Sequence, residues 1–112
     1  MAGTGTSVAD LSATLGGESP PVVIDVRRRE AYSKDTKTLS GAMRRDPEQV
    51  SSWGGELPPA RKVVVFCVHG HEVSQGVAKA LREQGRDASY LEGGLAAWVE
   101  AGGSVGSKPA TE

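Results

Sequence analysis

Lys62-Val-Val-Val-Phe-Cys-Val-His-Gly-His-Glu-Val-Ser-Gln-Gly76 is the stretch on which the fold turns. Val63-Val-Val-Phe66 is an unbroken apolar run and reads as a strand buried on both faces, as in a parallel sheet. Val73, Val77, Ala80 and Leu81 recur at helical spacing on one face, and Gly85 stops that helix. The loop between them carries Cys67, the one cysteine of the chain. A loop opening onto a helix N-terminus presents unpaired N–H groups and a partial positive charge, and both favour an anion. Such surroundings stabilise a thiolate, so Cys67 reads as a nucleophile. Free cysteines also serve as buried apolar filler, but a core cysteine would sit within the strand rather than at its polar exit.

Outward from this unit, the same alternation repeats. Ser7 caps a helix carrying Val8, Leu11 and Leu15, with Asp10 in its first turn and Gly16-Gly17 at its end. Pro20-Pro21 leads into Val22-Val-Ile-Asp-Val26, a short β-branched run closing on charge. A helical turn is expected near Arg29 to Tyr32 and a short strand over 38–42. Asp46-Pro47-Glu48 opens another helix, residues 53–59 read as loop, 88–91 as a strand and 95–101 as a last helix. Strands alternating with helices imply an α/β domain: a central parallel sheet of about five short strands flanked by helices. Residues 1–6 are expected to be flexible, 7–102 to form the domain, and 103–112 to be a disordered tail. In such sheets ligands bind beyond the carboxyl ends of the strands. Asp25, Arg27 and Cys67 all fall there and should share one edge.

The 112 residues suffice for one core, and 38% hydrophobic with 24% charged residues is ordinary for a globular domain. Thirteen Lys+Arg against fourteen Asp+Glu give a net charge of -1, which argues against an electrostatic nucleic-acid or membrane binder. A single cysteine forms no internal disulfide, no run approaches a membrane span, and the N-terminus lacks the features of a signal peptide. A cytoplasmic location is expected.

A loop of this length can curl so that the N–H groups of Val68, His69, Gly70, His71, Glu72 and Val73 converge on the sulfur. Gly70 permits the positive φ that a curl needs, and a protonated His69 or His71 would add positive charge. Cys67, His69 and His71 at i, i+2, i+4 would need an extended segment to ligate one metal, and no second ligand cluster exists, so no metal or other cofactor is expected. Asp25 and Arg27 read as an ion pair fixing the strand end, with Arg27 also able to meet an anionic substrate.

Asp25-Val-Arg27, the Gly41-Ala42 pair, the strand ending in Cys67, and Leu91-Glu-Gly-Gly-Leu-Ala-Ala-Trp98 together resemble a single-domain rhodanese. The resemblance spans roughly 7–102. It implies a thiosulfate sulfurtransferase-like enzyme. Cys67 would accept a sulfane sulfur from thiosulfate or a related donor, become a persulfide, and pass the sulfur to cyanide or a thiol. A protein persulfide is a further conceivable donor or acceptor. Trp98 reads as core packing beside Leu95 and Val99. Two departures stand out. Glu72 lies in a loop where many members carry a basic residue, and Thr38-Leu39-Ser40 replaces the usual His-Ile-Pro.

Two rivals are weaker. A cysteine phosphatase or arsenate reductase needs an arginine to grip the oxyanion, but position 73 is valine and no arginine follows Cys67 before Arg82. A non-catalytic or redox-sensing module would use Cys67 through its sulfenic acid.

Overall fold

The computed structural model describes residues 5–58 and 60–108. Its strands are β1 (Gly5–Thr6), β2 (Val22–Asp25), β3 (Lys37–Leu39), β4 (Met43–Arg44), β5 (Lys62–Phe66), β6 (Asp87–Leu91) and β7 (Val105–Ser107). Its helices are α1 (Val8–Leu15), α2 (Arg29–Lys34), α3 (Val50–Trp53), α4 (Glu72–Glu83) and α5 (Gly94–Glu100). Five strands form one parallel sheet in the order β1-β6-β5-β2-β4, while β3 and β7 make a separate antiparallel pair. This is the α/β architecture expected, with helices on both faces.

Successive strand residues point to opposite faces, and two cores follow. Val22, Ile24, Val63 and Val65 pack with Trp53, Leu57, Val77 and Leu81 on the α3/α4 side. Val23, Val64 and Phe66 pack with Leu11, Leu39, Leu95 and Trp98 on the α1/α5 side. Trp98 is thus a core residue, as read from the sequence. The caps are those expected: Ser7 Oγ accepts from the Asp10 N–H at 3.1 Å, and an Asp46 carboxylate oxygen accepts from the Glu48 N–H at 2.9 Å. Pro47 opens a 3-10 turn that runs into α3, and a second 3-10 turn covers Gly54–Glu56 within the expected loop. Among the described residues no helix is long and apolar enough to cross a membrane.

Three expectations need correction. The strand expected over 38–42 is instead two short strands, β3 and β4, split by a turn in which Gly41 has φ +83°. The N-terminal stretch expected to be flexible contains β1, because Gly5 and Thr6 pair with Tyr90 and Leu91 at the edge of β6; residues 1–4 lie outside the described residues. The tail expected to be disordered from 103 contains β7. Ser104 O accepts the Trp98 indole N–H at 2.9 Å and the Ser40 N–H at 3.0 Å, and Lys108 Nζ donates to Tyr32 O at 2.8 Å. Polar composition concealed this segment because it is held by hydrogen bonds rather than by buried apolar side chains; 109–112 lie outside the described residues.

Ending the chain at Gly102 removes β7 and leaves the partly buried Trp98 N–H without its acceptor. At ~1 kcal/mol or more for the lost bonds, the thermal unfolding midpoint should fall by at least ~5 °C. An unchanged midpoint by circular dichroism would show that the segment contributes no stability.

Candidate active site

β2 and β5 pair so that Asp25 sits opposite Phe66, and the Val26 N–H donates to Phe66 O at 2.9 Å. The residues immediately beyond, Arg27 and Cys67, therefore emerge side by side at one sheet edge, as the strand-end argument requires. They line a pocket of about 240 Å³. Its loop-side wall is Val68, His69, His71, Glu72 and Val73; its other wall is Arg28 and Ala31.

The cysteine loop is clamped from behind by the start of α5. The Leu95 N–H donates to Cys67 O at 2.9 Å and the Ala96 N–H donates to Val68 O at 3.0 Å. The two backbones touch. A Cβ on Gly94 would lie 2.5 Å from both of those carbonyl oxygens, and one on Gly70 would lie 2.7 Å from Gly93 N and Leu91 O. Both glycines also hold positive φ, +73° at Gly70 and +65° at Gly94, so only glycine meets both demands. Gly70 consequently turns towards α5 rather than lining the pocket.

This clamp governs where the amides go. Among the described residues every peptide is trans, so each C=O points opposite to the N–H of the following residue. With the Cys67 and Val68 carbonyls directed at α5, the N–H groups of Val68 and His69 face away from it. Among the described residues, the backbone N–H groups of 68–71 are donated to no protein acceptor. The first intrahelical bond of α4 runs from the Gln75 N–H to His71 O, at 3.1 Å. Glu72, Val73 and Ser74 therefore add the orphan N–H groups of a helix start. Gln75 Nε2 donates to Gly70 O at 2.9 Å and fixes the middle of the loop.

Cys67 is 7% exposed, and its sulfur lies 3.1 Å from Ser74 Oγ, with the thiol as donor. Glu72, at the first position of α4, is exposed on the pocket rim and makes no side-chain cap. His69 and His71 are also exposed, with ring centroids 6.2 Å apart.

Asp25 and Arg27, 1% and 2% exposed, form a buried ion pair. Arg27 Nε and Nη2 grip the Asp25 carboxylate at 2.8–3.1 Å. Its remaining reach goes to Asp35 at 3.0 Å and to Lys37 O at 3.1 Å. Thr38 Oγ1 completes the cluster by donating to Asp25 at 2.9 Å. Burial pulls the Arg27 guanidinium down, but the hydrogen bonds and charges of Asp25 and Asp35 outweigh it and hold it above its ordinary value. Asp35 is held below the usual carboxylate range by the Lys37 N–H and, against some burial, by Arg27. The Arg27 guanidinium also stacks 5.3 Å from the Tyr32 ring centre. Arg27 is thus committed to the strand end, while Arg28, exposed and without an ion pair among the described residues, is the cation free at the pocket.

Arg28 and Ser74 did not stand out in the sequence. The signal for Ser74 was present: the buried face of α4 is Ser74, Val77, Ala78 and Leu81, not Val73, Val77, Ala80 and Leu81. A hydroxyl thus occupies a place on an otherwise apolar stripe.

Residues 7–101 match the rhodanese-like domain family. The thiosulfate sulfurtransferase GlpE of Shewanella oneidensis is 35% identical over 80 residues, covering 70% of this chain and 76% of that protein. The solution structure of the rhodanese-like domain of the Alr3790 protein from Anabaena superposes with a TM-score of 0.79 at 30% identity, covering 93% of this chain and 79% of that one. A crystal structure of Alr3790 gives 0.78 at 28% identity, covering 95% of each chain. The family match takes in both the cysteine loop and the diglycine turn that grips it, and the chain belongs to the rhodanese-like domain family.

Proposed function

We propose that this protein is a sulfurtransferase that moves a sulfane sulfur from thiosulfate or a related donor to a thiophilic acceptor, cyanide or a thiol, through a persulfide on Cys67. The observation that carries this reading is the Cys67 sulfur in a pocket at the β5 exit, on a loop whose N–H groups at 68–71 meet no protein acceptor among the described residues. In the first step the Cys67 thiolate attacks the outer sulfur of thiosulfate. A new S–S bond forms, the donor's S–S bond breaks, and sulfite leaves with the electron pair. In the second step the acceptor takes the outer sulfur, and the electron pair of the Cys67–sulfur bond returns to Cys67 as thiolate. Splitting the transfer in two is the usual reason for an activated nucleophile. The amides of Val68, His69, Gly70, His71, Glu72 and Val73 serve as the donor set for the persulfide's charge, as an oxyanion hole does. The 35% identity to a thiosulfate sulfurtransferase supports the same assignment.

The positive charge offered to the donor comes from Arg28, with Arg27 and Asp25 supporting the strand end. Glu72 opposes a dianionic donor from the same rim. A less charged persulfide donor, such as a protein persulfide that leaves as its thiolate, therefore fits this rim better than thiosulfate. A free cysteine nucleophile suits a reducing compartment, and the cytoplasm is the proposed location.

Cys67→Ser should abolish sulfur transfer to cyanide while leaving the fold intact; full residual turnover would overturn the assignment. Mass spectrometry after thiosulfate treatment should show a gain of one sulfur on the wild-type protein, whereas oxygen adducts alone would favour redox sensing. Glu72→Gln should lower the thiosulfate KM about fivefold, the equivalent of ~1 kcal/mol of repulsion between exposed charges. An unchanged KM would mean that the carboxylate does not face the donor.

A further inference from the structure

We infer that Ser74 is the side-chain hydrogen-bond donor to the Cys67 sulfur, stabilising it whenever it carries negative charge. Ser74 is fully buried, and among the described residues its hydroxyl makes one hydrogen bond, to Cys67 Sγ at 3.1 Å. The other buried polar residues, Asp25, Arg27 and Thr38, satisfy one another in a single cluster. Ser74 stands apart from them, on the stripe of α4 that carries Val77, Ala78 and Leu81 into the core. Packing explains an alanine at that place but not a hydroxyl. A serine inside a helix commonly bonds back to the carbonyl four residues earlier. Here that carbonyl, Gly70 O, is taken by Gln75 Nε2. The hydroxyl is left to the sulfur.

The bond changes sense with the charge on the sulfur. A thiol donates its proton to Ser74 Oγ. A thiolate can only accept, so the hydroxyl turns and donates to it, and a hydrogen bond to an ion is the stronger kind. Within the sulfurtransferase reading, on which this kinetic part alone rests, Cys67 gains charge as the acceptor removes the outer sulfur. Ser74 then stabilises the departing thiolate and speeds discharge of the persulfide. In the loading step the sulfur loses charge, so the same bond raises the population of nucleophile without lowering the barrier to its attack.

The test compares wild type with Ser74→Ala and Ser74→Thr by rate of Cys67 alkylation with iodoacetamide across pH. The other charged groups at the pocket, Arg27, Arg28, His69, His71 and Glu72, are the same in all three. Ser74→Ala should alkylate about threefold to tenfold more slowly at neutral pH, with the rates converging at alkaline pH where all the sulfur is thiolate. Ser74→Thr should restore the neutral-pH rate. Stopped-flow kinetics should show discharge of the persulfide to cyanide slowed in Ser74→Ala by a similar factor. Equal alkylation rates for wild type and Ser74→Ala at every pH would overturn the inference, as would a deficit that persists undiminished at alkaline pH. Because alkylation needs no sulfur transfer, the displaced profile in a protein that takes sulfur neither from thiosulfate nor from a persulfide donor would uphold Ser74's role and sink the sulfurtransferase reading instead.

Discussion

The contact between two stretches of bare backbone, the loop after Cys67 and the Gly93-Gly94 turn, is the constraint on which the site depends. Side chains at Gly70 or Gly94 would drive the loop off the start of α5. Their absence lets the Leu95 and Ala96 amides reach the carbonyls of Cys67 and Val68. The start of α5 thereby takes the carbonyls of Cys67 and Val68, and among the described residues the N–H groups of 68–71 meet no protein acceptor. Under the proposed function these amides would be the main-chain part of an anion site, placed by secondary structure rather than by flexible side chains. Donors fixed in this way need no reorganisation when charge develops, which makes them effective in catalysis.

The second support is electrostatic and lies one strand away. Asp25 and Arg27 are both buried at the end of β2, and a buried charge without partners is very costly. Here each is satisfied several times over, by Asp35, Thr38 and Lys37 O as well as by each other. The cluster draws β3 against the end of β2, and β3 in turn is closed by β7. Thr38 takes a place where the family pattern has a histidine, and its hydroxyl keeps Asp25 supplied with a donor. The departure at 38–40 therefore leaves this joint intact. Arg27 lines the pocket while its Nε and Nη2 are engaged by Asp25 and Lys37 O and its Nη1 by Asp35.

Elements that carry apolar periodicity were legible: β2, β5, β6, α1, α4 and α5 all lie within a few residues of where spacing and caps put them. The shared edge of Asp25, Arg27 and Cys67 followed from the rule for parallel sheets. What escaped was held by backbone hydrogen bonds. β1 has two residues, and β7 lies in a Gly/Ser segment; neither buries enough side chain to leave a pattern. Of the residues expected on the buried face of α4, Val77 and Leu81 are buried, whereas Val73 and Ala80 are half-buried and the helix turns Ser74 and Ala78 inward instead. Arg27 and Arg28 are adjacent arginines, and only the strand's pleat decides which is buried. Sequence alone carries no sign of that choice until the register is known.

Cys67 and Glu72 divide the N-terminus of α4 between them. Both are favoured by the partial positive charge there, the sulfur from within and the carboxylate from the rim. An acidic side chain in a first helical turn supports the helix, so Glu72 has a structural benefit independent of the chemistry. The consequence falls on the substrate. The Cys67 sulfur is nearly buried and lies against Ser74 Oγ, whereas the pocket in front of it carries the exposed Glu72 carboxylate. In the proposed reaction an anion bonded to Cys67 would be held from within, while a dianion arriving from solvent would meet the Glu72 carboxylate, with Arg28 the exposed arginine at the same pocket. Under the proposed sulfurtransferase function, such a site would separate the holding of a persulfide from the capture of its donor. It would favour donors that reach the sulfur through apolar contact with Ala31, Val68 and Val73, which line the pocket, over those drawn in by charge.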